Sequence, residues 1–181
     1  MKTTLWFSSC LGVFVACLSL VVRAQGTDLA VTPISRDGKV LVSFDLTAGF
    51  SPDVRDAIQS GLSTTFSYDL ELRRGTPTWF DRTVAAVAIT ASVRFDNLTR
   101  RYQMSRTVDG RVEDARPTEN QDAVRRWLTH FDLVPLSTTS TLEANGEYYV
   151  RVRAHTRARD TWFSWPWDRT VLGLAKFTFI P

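Results

Sequence analysis

Four aromatic rings fall within six residues at Trp162, Phe163, Trp165 and Trp167, in a segment interrupted by Pro166. Exposed, such rings are stacking platforms for sugars, a partner protein or a lipid interface; buried, they plug one end of a sheet sandwich. Just upstream the chain alternates, with Tyr148, Val150, Val152 and Ala154 on one face and Tyr149, Arg151, Arg153, His155 and Arg157 on the other. Arg151, Arg153 and Arg157 thus form a ladder of planar guanidinium forks suited to carboxylates or an anionic polymer. The competing use of the ladder is internal pairing with an acidic strand face such as Asp69 and Glu71, at roughly 0.2–1 kcal/mol per exposed pair. Arg157, Arg159 and Arg169 next to the tryptophans add cation-aromatic stacking under either arrangement. The candidate binding residues are therefore Arg151, Arg153, Arg157, Trp162, Trp165 and Trp167.

Catalytic constellations are harder to draw. The two histidines, His130 and His155, have no partner at zinc-motif spacing, so the expectation is no metal and no cofactor. His130 falls at the end of a predicted helix beside Asp132, where a cation is favoured, and His155 lies on the polar side of a strand. There is no G-x-S-x-G, no phosphate-cradling glycine loop and no H-E-x-x-H. The 19 acids are spread evenly, so spacing gives a glycosidase-like pair no support. A non-enzymatic protein is expected.

Residues 1–24 read as a secretory signal: Lys2 leads, an uncharged run of 18 residues spans Leu5 to Val22, and Val22, Arg23 and Ala24 offer a small-residue exit. A retained anchor is the alternative, because that run is just long enough to cross a bilayer. Either way residues 25–181 form one domain placed in the periplasm or secreted. Cys10 and Cys17 both fall in the signal, so the domain contains no disulfide or thiol nucleophile and must rest on an ordinary hydrophobic core. The formal charge of +3 includes Lys2 and Arg23; without them 20 basic residues face 19 acidic ones, a net of +1. That balance argues against nucleic acid as a partner, since phosphate neutralisation needs a concentrated surplus.

The elements that must hold these residues are mostly strands. Val40, Val42, Phe44 and Leu46 share one face of a strand over 39–46, and Phe66, Tyr68, Leu70 and Leu72 share one face over 64–73. A long strand over 83–95 and a return over 100–107 form a hairpin around Asp96 and Asn97. Ser51 and Pro52 open one short helix that Gly61 closes. Thr118 with Gln121 suggests a capping box for a second, carrying Val124, Trp127, Leu128 and Phe131. Residues 109–117 read as a polar loop, 133–142 and 147–156 as a hairpin about Ala144, Asn145 and Gly146, and 176–180 as a last strand. The predicted fold is mainly β (α+β): an antiparallel, sandwich-like sheet of about eight strands with two short amphipathic helices.

Gly61, Leu62, Phe66 to Arg74 (F-S-Y-D-L-E-L-R-R) and Thr78 to Asp81 resemble the signature of an uncharacterised family of exported bacterial proteins, a domain of unknown function. The helix Ala123 to Phe131 and the strand Tyr148 to Ala154 (Y-Y-V-R-V-R-A) follow in similar order. Members are often encoded near nitrogen-type sensor kinases, so the resemblance implies an envelope or signalling context. It implies no reaction and carries over no site residue. Where members have a leucine- and proline-rich segment near the last strands, this chain has Trp162 to Trp167.

The functional expectation is an extracytoplasmic accessory or binding domain recognising an envelope protein or polysaccharide. A carbohydrate-binding module using the tryptophans and a hydrolase using dispersed carboxylates are the alternatives. A membrane enters only through an uncleaved N-terminal segment.

Overall fold

Nine strands and two helices appear in the computed structural model, which describes residues 28–75, 81–158 and 170–180. In chain order they are β1 (Leu29–Arg36), β2 (Lys39–Leu46), α1 (Pro52–Gln59), β3 (Thr64–Arg74), β4 (Arg82–Asp96), β5 (Arg101–Val108), β6 (Arg111–Thr118), α2 (Gln121–Thr129), β7 (His130–Thr138), β8 (Glu147–Ala158) and β9 (Thr170–Thr178). The strands make two sheets, β1-β2-β7 and β6-β5-β4-β3-β8-β9, and every pairing is antiparallel. The fold is mainly β with two helices, as predicted.

Period-two alternation builds the interface between the sheets. Phe66, Tyr68, Leu70 and Leu72 of β3 are buried on one side, as are Val40, Val42, Phe44 and Leu46 of β2 and Tyr148, Val150, Val152 and Ala154 of β8. Phe44, Tyr68 and Phe131, from β2, β3 and β7, pack with ring centroids 4.6–5.0 Å apart, joining the two sheets at their centre. Each such ring buries enough apolar surface to contribute about 1.5–3 kcal/mol. At one side β1 crosses the inner surface of β9 so closely that a Cβ at Gly173 would lie 2.9 Å from the Leu29 carbonyl oxygen.

Strands lie about 4.8 Å apart, so three strands span only half the width of six. The helices cover part of the remainder by packing on β4 and β5. Helix α1 starts as the sequence suggests, with Ser51 Oγ accepting from the Val54 amide at 3.3 Å and Pro52 at the first position.

Four predicted details differ. The simplest is the last strand, expected over 176–180 and found as β9 (Thr170–Thr178), where Val171 and Gly173 on its inner side carry the alternation further back. The cap of α2 is Asn120, whose Oδ1 accepts from the amides of Asp122 and Ala123 at 2.8 and 3.2 Å, while Thr118 bonds the Asn120 amide instead. Asn120 lies nearer the helix and carries the stronger capping acceptor. Residues 111–118 are β6 rather than loop: Asp109 and Gly110 both take positive φ, 47° and 78°, and form a two-residue hairpin turn between β5 and β6. Polarity had disguised a strand whose two faces both meet water. Finally, 133–142 and 147–156 are not a hairpin. β7 pairs with β2 in the small sheet and β8 with β3 and β9 in the large one, because the buried residues of β7, Phe131 and Leu136, follow the small sheet's core.

Candidate functional site

The polar side of β8 faces away from the sandwich on the outer surface of the large sheet. Register fixes its neighbours: Tyr149, Arg151 and Arg153 stand opposite Arg73, Glu71 and Asp69 of β3, and opposite Lys176, Leu174 and Leu172 of β9. Alternation therefore brings three guanidinium groups to one carboxylate. Arg151 Nη2 donates to Glu71 Oε2 at 2.5 Å, Arg153 Nη2 donates to Glu71 Oε1 at 3.2 Å, and Arg73 Nη1 lies 3.7 Å from Glu71 Oε2. Glu71 is mostly shielded, with its side chain 19% exposed, so its charge is held by surrounding protein more than by water.

Several neighbours on this surface are also paired. Tyr149 donates to Asp81 Oδ2 at 2.5 Å, and burial together with that hydrogen bond pushes its phenol above the ordinary range. Arg73 Nη2 donates to the Asp81 carbonyl at 2.9 Å. His155 meets Thr170 Oγ1 at 3.0 Å through Nδ1, and its Nε2 lies 3.6 Å from Asp69. At the β3 end, on the opposite side of the sheet and across from Tyr148, Arg74 forms a two-pronged ion pair with Glu143.

Arg151 and Arg153 thus stand side by side on the outer face, as the alternation predicts, and both are engaged by Glu71. The side chain of Arg157 and the residues Trp162, Trp165 and Trp167 lie outside the described residues. Sequence reasoning did not mark Leu172, Leu174 or Lys176, although the alternation of Leu172, Leu174 and Lys176 against Val171 and Gly173 was the available signal.

These missed residues complete a surface feature. A depression of about 700 Å³ is lined by Tyr149, Arg151, Leu172, Leu174 and Lys176, with Asp81 and Glu147 offsetting the two cations. Leu172 and Leu174 are 51% and 59% exposed, unusually wet for leucines on a strand. The arrangement offers apolar area, an aromatic edge and both signs of charge, the composition of a contact patch.

Among the described residues no group of three or more histidine, cysteine, aspartate or glutamate side chains could hold a metal ion, and no helix is long and apolar enough to cross a membrane. His130 is the most heavily bonded histidine. Asp45 accepts from Nδ1 at 3.0 Å and Asp132 from Nε2 at 2.9 Å when the ring is charged, and these bonds, that of Asp45 foremost, raise its pKa.

No curated protein and no solved structure matches the chain. A family model does, over residues 26–161, and this span includes the Phe66 to Arg74 strand and the Tyr148 to Ala154 strand that suggested an uncharacterised family. By that match the chain belongs to the family described as Domain of unknown function (DUF4390).

Proposed function

We propose that the domain is a non-catalytic binding module that recognises a protein partner outside the cytoplasm through the outer surface of β8 and β9. The observation that carries this reading is the pair of exposed leucines, Leu172 and Leu174, set beside Tyr149, Arg151 and Lys176 on the depression described above. Tyrosine and arginine around a small apolar centre make the anchors that dominate protein interfaces. The balance of Arg151 and Lys176 against Asp81 and Glu147 fits a partner surface bearing both charges better than a uniformly anionic polymer. Lys2 and the uncharged run from Leu5 to Val22 support delivery across the inner membrane. Trp162 to Trp167, shortly ahead of β9 in the chain, belongs to the same reading as a sequence expectation.

Site-specific photo-cross-linking in cells tests it. A photoreactive phenylalanine replaces Leu172 or Leu174, and, as controls, Leu98 or Val112, which are more exposed still but distant in the fold. The expected result is one discrete adduct to a different protein from positions 172 and 174, absent from 98 and 112, with purified-component affinity reduced at least tenfold by Leu172→Ser with Leu174→Ser. No adduct, the same adducts from all four positions, or an adduct between two copies of this chain would overturn it.

A further inference from the structure

A second cluster of cations lies across the molecule from that surface. In β5, Tyr102, Met104 and Arg106 share the inward side, opposite Phe95, Val93 and Ala91 of β4. Tyr102 and Met104 are buried there, so Arg106 is a cation on the core side of a strand. It occupies the part of the large sheet that the three-stranded sheet is too narrow to cover.

Two rings and one carbonyl surround it. The guanidinium carbon of Arg106 sits 4.1 Å from the Phe131 ring centre and 4.4 Å from that of Trp127, and Nη2 donates to the Trp127 carbonyl at 2.8 Å. Nε is buried and has no hydrogen-bond partner among the described residues. Aromatic faces attract a cation without neutralising it. Burial pushes the Arg106 pKa below its ordinary value, although Glu113 and Asp114 act in the opposite direction. Arg116 of β6, which stands opposite Met104, adds a second guanidinium 4.8 Å over the same Trp127 ring.

Met104, Arg106, Arg116 and Trp127 line a groove of about 590 Å³ between α2 and the β5–β6 hairpin, together with Arg126, His130 and Asp132. Three arginines and a histidine line it beside one lining carboxylate, Asp132, which is held by His130, while Asp114 stands opposite Arg106 on the same side of β6. Asp114 reaches Arg116 only at 3.7 Å. Among the described residues, neither Arg106 nor Arg126 has a carboxylate within 4.0 Å. This contrasts with the outer face, where Arg151 and Arg153 share Glu71.

We propose that this groove binds an oxyanion, a phosphate or carboxylate group carried by a ligand, between Arg106, Arg116 and Arg126. Guanidinium forks hold either group with paired, charge-assisted hydrogen bonds. Trp127 fixes the two strand-borne arginines in advance, so little side-chain freedom is lost on binding. Arg126, exposed on α2, closes the groove from the other side.

Thermal unfolding and titration calorimetry of the whole domain test the site with inorganic phosphate in one arm and citrate in the other, against sodium chloride at matched ionic strength. The expected result is a rise in Tm of several degrees with at least one of the two oxyanions and none with chloride, since a ligand that binds only the folded state stabilises it. The arm that responds identifies phosphate or carboxylate as the group recognised. Arg126→Gln, an exposed change that leaves packing intact, weakens that binding by about tenfold, and Arg106→Gln abolishes it. Lys176→Gln, on the opposite surface, leaves it unchanged and separates this site from the β8–β9 patch. Equal shifts with chloride, no response in either arm, or full binding by both arginine variants would overturn the proposal.

Discussion

Tyr68 donates its phenolic hydrogen to the carbonyl oxygen of Leu128 at 2.6 Å, bonding the middle of the large sheet directly to the last turn of α2. Both residues are buried, and burial raises the Tyr68 pKa so far that the phenol stays protonated at any ordinary pH. The bond therefore always has its donor. It fixes α2, and with α2 the position of Trp127 and Arg126 against β5.

Tyr68→Phe keeps the ring and leaves the Leu128 carbonyl without that partner. Stability measured by urea unfolding should fall by about 1–2 kcal/mol. The same variant should loosen the α2 end of the arginine groove while leaving β8 and β9 untouched. Hydrogen exchange resolved by residue checks this: faster exchange confined to α2 and its flanks is the expected pattern, and uniform acceleration would contradict it.

Glu71 is the carboxylate on which the outer arginines converge, so removing its charge should matter more than removing any one arginine. Glu71→Gln leaves Arg73, Arg151 and Arg153 repelling one another around a half-buried amide, and should cost roughly 1–3 kcal/mol. A double-mutant cycle sorts the partners: coupling of Glu71 with Arg151, at 2.5 Å, should exceed its coupling with Arg153, at 3.2 Å. Equal or absent coupling would show that the network is solvated in solution.

How much of this was legible follows from where water stands. Phe66 to Leu72, Val40 to Leu46 and Tyr148 to Ala154 each bury one side against apolar partners, so alternation exposed their buried and their polar faces. β6 failed that reading because Ala115 and Pro117 lie on the outer side with Ser105 and Gln103, and Asp114 and Arg116 lie on the groove side with Arg106 and Met104. A bulge between Val112 and Asp114 also shifts the alternation, leaving no apolar side to detect. Its turn was the better signal, since Asp109 and Gly110 are the pair that a tight hairpin favours. The pairing of β7 with β2 is nonlocal, and no property of the 133–142 segment names a partner some 90 residues earlier. Arg151 and Arg153 were found because they alternate with Tyr148, Val150, Val152 and Ala154, which are buried. Arg106 was missed because an arginine in phase with Tyr102 and Met104 makes sense only once the small sheet is seen to stop short of it.

Gly173 sits where β1 crosses β9. A Cβ there would meet Val31 Cγ2 at 2.6 Å and the Leu29 carbonyl oxygen at 2.9 Å, and the backbone atom cannot rotate aside. Gly173→Ala must therefore push β1 off the large sheet, at a cost of about 1–3 kcal/mol. Amide exchange in Leu29 to Arg36 should accelerate well ahead of that in β3. An unchanged β1 would mean that the strands yield without losing contact.

His130 supplies the pH dependence. Its two carboxylate partners, Asp45 of β2 and Asp132 of β7, favour the charged ring, so the folded-state pKa lies above the ordinary value of about 6.5. A raised folded pKa means that this stabilisation is fully present below about pH 6.5 and is lost as pH rises through the folded value. The ring is 43% exposed, so solvent screening holds the effect to under about 1 kcal/mol. His130→Gln should flatten the difference in stability between about pH 6 and pH 8.5, whereas the native domain should be the more stable at the lower pH. A native domain that gains stability across that interval, with His130→Gln gaining equally, would place the controlling titration elsewhere.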